Sequence, residues 1–327
     1  MKLKKEYLIL VVVIAVLVLY LTVRSTNRND DPFSQPAKLE KTDITRLVLT
    51  DKQNPPVEMV KTDGRWLIQP NGYPVDSVKV NNMLHSITEL TLTALVSESG
   101  NYERYGLSDS EKVFIQAFKE DAAVRGFSIG KSAPTFQHTF VLLEGDPKVY
   151  HARGQLERTF DHSIESLRDK TIFDFDKHTI NALSIERKGK ALDLSKVELD
   201  RQASTPETGK EEKTPLAEPV IEWRAGDGNA VDPNSVARLI DEIDHLMCDA
   251  FLEDDAHTKL TDAQWRITFR KAEEEFSLSV YPKLEETADQ MPSTASTTPY
   301  AFLLQQSRLD NIENHLNKLL GFEAKKD

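Results

Sequence analysis

The sequence predicts an α+β protein in which a transmembrane helix precedes two similar domains with mainly antiparallel sheets. Three observations lead to this fold class: an uncharged apolar run near the amino terminus, a helical segment that occurs twice, and alternating apolar and polar runs around each copy. The length of 327 residues suits two domains once a targeting segment is set aside. With 39% hydrophobic and 29% charged residues, the composition is typical of a globular body.

The apolar run extends from residue 7 to residue 23 and contains no charged side chain. As a helix it would measure roughly 26 Å, close to the hydrocarbon thickness of a membrane once flanking cationic side chains reach the interface. A cleaved signal peptide is the main alternative, but the run is longer than the usual apolar core and no small-x-small cleavage site follows it. The cationic residues before the run slightly outnumber those after it, and Asp30 and Asp31 follow the run, so we expect the body to lie across the membrane from the cytoplasm.

An internal duplication begins with the helical segments at Val75 and Val231. The two segments align without gaps, and most of the identical positions fall at apolar helix spacing. A tryptophan precedes each segment by a similar distance. The shared positions are Trp66/Trp223, Val75/Val231, Asp76/Asp232, Val80/Val236, Ile87/Ile243, Leu90/Leu246 and Ala94/Ala250.

The duplicated unit contains strands, a helix, further antiparallel strands and a closing helix. Asp76 and Asp232 are predicted N-caps, because their side-chain oxygens can accept hydrogen bonds from the first free helical amides. Both caps precede apolar residues spaced for one buried helix face. Closing helices are predicted within residues 156–169 and 309–322, the second of them ending at Gly321.

These elements define the predicted domain organisation. Two segments rich in Pro, Thr, Ser and Glu interrupt the symmetry and are expected to be mobile, solvent-facing loops. The predicted ranges are an anchor at 1–24, a linker at 25–42, a first α+β domain at 43–176, a second at 177–327, and loops at 200–219 and 285–299.

Several short motifs follow the predicted membrane span in a fixed order: Trp66 with Pro70, then RYGL, SIGK and LRDKTIFDF, together with Tyr150. In this order they resemble a bacterial family, the domain of unknown function 4340. The resemblance covers most of residues 44–175, with a weaker second copy that lacks YGL and RDK. The motif residues are Tyr105, Gly106, Leu107, Gly130, Arg168 and Asp169.

The resemblance implies a membrane setting but no reaction. Members of that family are often encoded beside components of ABC-type transporters, including relatives of gliding-motility auxiliary proteins. We therefore expect a single-pass protein of the bacterial inner membrane, with its body on the periplasmic side and protein partners in an envelope or transporter complex. The alternative is an extracytoplasmic module that binds a glycan, peptide or ion in the cleft between the two repeats.

Sequence motifs for catalysis are weak. RGFSIGKS, at residues 125–132, resembles a phosphate-binding loop, but one residue is missing between its glycines and no helix follows, so we interpret it as a hairpin turn. The sequence lacks Gly-x-Ser-x-Gly and HExxH motifs, so no enzyme activity and no cofactor are expected. The only cysteine, Cys248, lies in an apolar pattern and is predicted to be buried.

The sequence offers weak candidates for metal binding and argues against nucleic-acid binding. Asp241, His245 and Asp249 follow one another at four-residue steps and are weak candidates for binding a divalent cation. The favoured interpretation is the solvent face of a helix, so no metal is expected. A formal net charge of −12 supplies no basic surface for phosphates, which argues against a nucleic-acid partner.

Overall fold

The structure, a computed structural model, describes residues 13–20, 34–52, 54–160, 163–199, 220–284 and 289–322. The chain divides into two compact units, Met1–Asp169 and Lys170–Asp327. Each unit contains one nine-stranded sheet in which every pairing of neighbouring strands is antiparallel. The α+β class with two mainly antiparallel sheet domains is therefore confirmed.

Helix α1 covers residues 13–20 and is the described part of the predicted membrane span. Its large apolar side chains are exposed, from 49% for Val13 to 66% for Leu19. Within the described ranges, no helix is long and apolar enough to cross a membrane. The remainder of the predicted span and the linker through residue 33 lie outside the described residues.

The first sheet has the order β4-β3-β2-β1-β6-β7-β8-β9-β5. Strands of alternating burial form the middle of this sheet, and helix α2 follows its edge strand β4. The elements are β1 (Arg46–Thr50), β2 (Val57–Thr62), β3 (Arg65–Gln69), β4 (Tyr73–Pro74), α2 (Ser77–Thr88), β5 (Leu92–Ser97), β6 (Val113–Lys119), β7 (Ala122–Ser132), β8 (His138–Leu143), β9 (Val149–Arg153), α3 (Leu156–Phe160) and α4 (Ile164–Leu167).

The second sheet has the order β13-β12-β11-β10-β15-β16-β17-β18-β14, which repeats the first sheet strand for strand. One longer helix, α6, closes this unit in place of the two short helices of the first. The elements are β10 (Ala182–Arg187), β11 (Lys190–Leu199), β12 (Val220–Ala225), β13 (Ala230–Val231), α5 (Pro233–Asp241), β14 (Ala250–Phe251), β15 (Trp265–Lys271), β16 (Glu274–Val280), β17 (Gln290–Ala295), β18 (Thr298–Gln305) and α6 (Gln306–Leu320).

The residues that align between the two copies occupy equivalent places in the two sheets. Val80 on α2 and Val236 on α5 are both buried in their cores, at 3% and 0% exposure. Ala94 and Ala250 lie on the corresponding edge strands β5 and β14. The duplication inferred from the sequence is therefore a duplication of topology.

The helices are shorter than the apolar pattern predicts. Helix α2 ends at Thr88 and α5 ends at Asp241, although Leu90, Ile243 and Leu246 beyond these ends are buried. After α5, the amides of Ile243 and Leu246 donate to carbonyls three residues earlier. Such tight turns keep apolar residues at a three-residue spacing, so the pattern continues after the helix has ended.

The prediction of a loop at 285–299 is wrong for residues 289–299, which are the part of this segment that the structure describes. Strand β17 runs through Gln290–Ala295 and pairs with both β16 and β18. The carbonyl of Pro292 accepts a hydrogen bond from the amide of Tyr281 over 2.9 Å, and Ser293 is completely buried. Small polar residues and a proline gave this strand the composition of a loop. The other predicted loop, 200–219, lies outside the described residues.

The division between the units falls earlier than the predicted boundary at 176/177. Ile172, Phe173 and Phe175 are buried in the core of the second unit. The amide of Ile172 donates to the carbonyl of Leu246 over 2.8 Å. This aromatic segment therefore belongs to the second unit, because its side chains complete that core.

The single closing helix predicted at the end of the first half is instead two short helices, α3 and α4. Leu156, Phe160 and Leu167 are buried as the pattern predicts, and Ile164 packs against the same core. Helix α6 agrees with the sequence in the second unit: Leu309, Ile312 and Leu316 are fully buried. Gly321 ends that helix in the left-handed conformation, with φ of 68°.

Candidate functional site

The RYGL and SIGK motifs lie in contact with each other. Gly106 ends the short turn Glu103–Tyr105 with φ of 66°, and a Cβ placed on it would lie 2.9 Å from the backbone nitrogen of Lys131. A Cβ on Gly130 would lie 2.3 Å from the carbonyl oxygen of Tyr105. Neither position has room for a side chain, so the two glycines allow the turn to pack directly against strand β7.

Residues 125–132 all lie within β7, so RGFSIGKS forms neither a phosphate loop nor the predicted hairpin turn. The strand is followed by a turn in which the amide of Phe136 donates to the carbonyl of Ala133. Leu107, which is 1% exposed, joins Ala133, Phe140 and Val149 in a small apolar cluster. The motif glycines therefore position this cluster rather than a ligand.

Arg168 and Asp169 hold the start of helix α2. The guanidinium carbon of Arg168 lies 3.8 Å from the ring centre of Tyr73, and the Arg168 side chain is buried. The backbone amide of Asp169 donates to the carbonyl of Pro74 over 2.8 Å. The amide of Asp76 donates to the carbonyl of Leu167, also over 2.8 Å. This part of the LRDK motif thus ties the end of the first unit to strand β4.

Tyr150 is a buried motif residue of strand β9. Its hydroxyl donates to Oδ2 of Asp146 over 2.7 Å. Burial, and then the hydrogen bond to the Asp146 carboxylate, raise the pKa of Tyr150 to about 12. The phenol is therefore neutral near neutral pH and serves as a hydrogen-bond donor.

Trp66 and Trp223 occupy corresponding places in the two sheets, with 8% and 6% exposure. Asp76 accepts hydrogen bonds through Oδ1 from the amides of Val78 and Lys79, at 2.9 and 3.1 Å. Asp232 accepts from the amide of Asn234 over 3.1 Å. Both aspartates are N-caps, and the tryptophans pack in the cores beside these capped helices.

The three weak metal candidates do not converge. Asp241 ends helix α5 and accepts a hydrogen bond from Nζ of Lys177 over 2.6 Å, which raises the pKa of Lys177. Nδ1 of His245 lies 3.0 Å from Oδ1 of Asp174, and Asp249 accepts from the amide of Gln305. Across the described ranges, no group of three or more His, Cys, Asp and Glu side chains is placed to hold a metal ion.

A groove of about 720 Å³ lies on the first unit at the ends of β1, β6, β7 and β8. Phe114 and Leu142 form part of its apolar lining, and Ser128 lies between their strands. Lys112 lies at its rim and donates to Asp109 over 2.6 Å; this contact lowers the pKa of Asp109. The residues of this groove come from separate strands and turns, so no local sequence pattern predicted it.

The family model for the domain of unknown function DUF4340 matches residues 66–264, more than half of the chain. The chain belongs to this family. The match begins at Trp66 in β3 and ends at Gln264, just before β15, so it includes residues of both units. It covers every motif named above, and it reaches further into the second half than the resemblance over 44–175 implied. No curated protein and no solved structure matches the chain.

Two polar clusters of this DUF4340 protein, one buried and one half-buried, were not predicted from its sequence. In the second unit, Nη2 of Arg187 donates to Oε2 of Glu313 over 2.6 Å, and Nε1 of Trp265 donates to Oε1 over 3.1 Å. In the first unit, His151 stacks on His138 with ring centres 5.5 Å apart. Burial, and then the nearby His138, lower the pKa of His151. Charged and titratable residues spaced far apart in the sequence gave no pattern that predicts either cluster.

Proposed function

We propose that this DUF4340 protein is a non-enzymatic accessory or scaffold subunit, anchored in the bacterial inner membrane, that acts through contacts with other proteins of an envelope or transporter complex. The observation that carries the proposal is that the residues of the family motifs have structural roles in the first unit. Tyr105–Leu107, Gly130 and Arg168–Asp169 all pack turns and strand ends within one unit. The motifs that define the family therefore maintain the fold of this unit. A protein whose motifs maintain a fold can act by presenting its surface to partner proteins.

Helix α1 supports the membrane part of the proposal. Its large apolar side chains are half to two-thirds exposed, which is unfavourable in water and favourable in a lipid hydrocarbon layer. In the sequence, the uncharged run continues on both sides of α1, from residue 7 to residue 23. Cationic residues flank this run, and anchors commonly place such residues at the interface.

Membrane fractionation of the full chain tests the anchor. We expect the protein to remain in the membrane pellet after alkaline carbonate extraction, and to be released by detergent. Replacing Val13 and Leu17 together by arginine should move it to the soluble fraction, because each charge is costly at the centre of a membrane helix. A variant with Val78→Arg, an exposed position on α2, is the matched control and should stay in the pellet. Release of the wild-type chain by carbonate contradicts the anchor.

The side of the membrane is tested separately with reporters fused to the carboxyl terminus. Alkaline phosphatase folds into an active enzyme in the periplasm, where its disulfides form. We expect the phosphatase fusion to be active. A second fusion, to a reporter that works only in the cytoplasm, should be inactive. The reverse pattern contradicts a periplasmic body.

Affinity capture tests the scaffold role. The tagged full chain is crosslinked mildly in cells, extracted in detergent and analysed by mass spectrometry. We expect envelope or transporter subunits to be recovered with the wild-type protein. Their recovery should fall for a variant that destabilises the first unit, such as Gly130→Ala, while the arginine variant of α1 tests whether the anchor is also needed. Recovery of the protein alone contradicts the proposal.

The groove on the first unit favours a second candidate function, an extracytoplasmic ligand-binding module. Its volume of about 720 Å³ lies within the usual range for small-molecule sites. Phe114 and Leu142 would contact an apolar part of the ligand, and Lys52 and Glu144 would fix its polar groups. A thermal-shift screen with glycan fragments and short peptides tests this, since a ligand of the native state raises the melting temperature. A hit must lose its effect in Phe114→Ala to support this site.

A further inference from the structure

The two sheets have four edge strands, and one of them differs from the others. Among the described residues, the edge strands β4, β13 and β14 are two residues long, whereas β5 has six residues, Leu92–Ser97. Strand β14 is the counterpart of β5 in the second unit. The duplication therefore provides an internal comparison in which one copy has a short edge and the other a long one.

Strand β5 lacks the residues that proteins use to protect a sheet edge. Its sequence, LTALVS, contains no charge, no proline and no glycine, whereas β4 ends in Pro74. Long, apolar and uncharged edges pair readily with another strand, because their outward amide and carbonyl groups are open. Its pairing with β9 shifts register at two places, which bends the strand locally.

Gln35 shows that the outward side of β5 accepts a peptide-like group. The side-chain amide of Gln35 donates to the carbonyl of Leu92 over 2.9 Å and accepts from the amide of Leu92 over 3.0 Å. Both main-chain groups of Leu92 therefore face away from β9. Because Gln35 already occupies the main-chain groups of Leu92, the part of the edge open to a further strand is Thr93–Ser97.

The charges beside the two ends of β5 are of opposite sign. Arg153 lies at the amino-terminal end, where its amide donates to the carbonyl of Thr91 over 3.0 Å. Glu98 follows the carboxyl-terminal end. Both side chains are exposed, and neither forms an ion pair with any residue the structure describes. Glu89 lies near the amino-terminal end of β5 and Lys148 near its carboxyl-terminal end, and these two residues partly offset the charges of Arg153 and Glu98.

We propose that β5 pairs antiparallel with β5 of a second copy of this chain about a two-fold axis. Such a pair places Glu98 of each copy at the end of β5 where the other copy carries Arg153, and it joins two nine-stranded sheets. The pairing is self-complementary, as a two-fold interface requires. This inference goes beyond the proposed function, because it needs no transporter partner and is tested on the purified chain.

The test is the mass of the full chain in detergent, measured by light scattering after size exclusion over a range of concentrations. We expect wild-type protein at twice the chain mass of 37.0 kDa. Thr93→Lys should weaken the dimer about tenfold or more, since a charged side chain on an edge strand disfavours pairing with a further strand. Asn81→Lys adds the same charge to an exposed position of α2 and should leave the dimer intact.

A charge exchange separates strand pairing from loss of folding. Glu98→Arg and Arg153→Glu should each weaken the dimer, and the double variant should restore it, because the two charges then meet again with their signs exchanged. A monomeric wild type at every concentration overturns the inference. So does a dimer that Thr93→Lys leaves unchanged, because α1 or another surface would then hold the copies together.

Discussion

Gly130 and Tyr105 are in direct backbone contact, since a Cβ on Gly130 would lie 2.3 Å from the carbonyl oxygen of Tyr105. Residues far apart in the sequence are thereby joined: Gly130 lies near the end of strand β7, and Tyr105 lies at the end of a short turn. The neighbouring Leu107 is part of a small apolar cluster with Ala133, Phe140 and Val149, so the same turn also contributes to the core.

The first prediction is that Gly130→Ala destabilises the first unit by about 2–3 kcal/mol, because a methyl group would force the turn away from β7. Gly126→Ala on the same strand is the control. Its Cβ would meet the carboxylate end of Glu144, a flexible side chain that can move aside. Hydrogen–deuterium exchange of peptides from the first unit measures both effects. Equal protection in the two variants would show that the Gly130 contact is unimportant.

The second prediction concerns Asp76, which caps helix α2. Asp76→Ala should cost about 1 kcal/mol, because two backbone amides lose their acceptor. Asp76→Asn keeps a good N-cap and should cost much less. Protection of the α2 amides in hydrogen exchange measures the difference. A loss of equal size in both variants would indicate that the charge, not the cap, is what matters.

The third prediction uses the pKa of Asp232, which caps α5. Its hydrogen bonds, first from Ser235 and then from the Asn234 amide, lower this pKa below the ordinary value of 3.8. The carboxylate therefore stabilises the folded unit above that ordinary pKa, and the contribution disappears as the pH falls through the lower folded value. Asp232→Asn keeps a cap without titrating there. The acid-induced loss of α5 protection should be smaller in this variant than in wild type, and identical pH profiles would contradict the assignment.

The sequence predicted the fold well where periodicity and capping decide structure. Asp76 and Asp232 begin their helices as expected, and the aligned pairs occupy equivalent positions in the two sheets. Prediction was wrong where composition and tertiary contacts disagree. Strand β17 contains proline and small polar residues, yet it forms backbone hydrogen bonds with a strand on each side. Phe173 was predicted to lie at the end of the first unit, although its ring completes the core of the second.

The sites were harder to predict than the fold. Asp241, His245 and Asp249 fit a helical metal pattern only if the helix continues beyond Asp241, which it does not. The groove and the polar clusters bring together residues that lie on different elements and are separated in the sequence, and no local spacing indicates such contacts. Arg187 and Glu313, for instance, are separated by most of the second unit.

The fourth prediction concerns the buried Arg187–Glu313 pair, whose side chains are 8% and 19% exposed. Glu313→Ala should destabilise the second unit by about 3 kcal/mol, because the Arg187 guanidinium would remain buried without its carboxylate. Trp265 would also lose the acceptor for its indole N–H. The double variant Arg187→Met/Glu313→Leu should recover much of the loss, since it removes both charges. Urea unfolding followed by exchange in peptides of the second unit measures these changes, and an additive double variant would contradict the coupling.

The fifth prediction is a pH dependence that comes from His151. Its ring stacks on His138 and lies 4.8 Å from Phe140, and burial lowers its pKa below the ordinary 6.5. As the pH falls below that ordinary value, the unfolded chain takes up a proton that the folded chain resists, so the first unit loses stability. Above it, the residue is neutral in both states and has no effect. His151→Phe should reduce this loss, whereas His85→Gln, at an exposed position of α2, should leave it unchanged. Melting temperatures from about pH 8 to about pH 5 measure the effect, and parallel curves for wild type and His151→Phe would show that His151 is not its source.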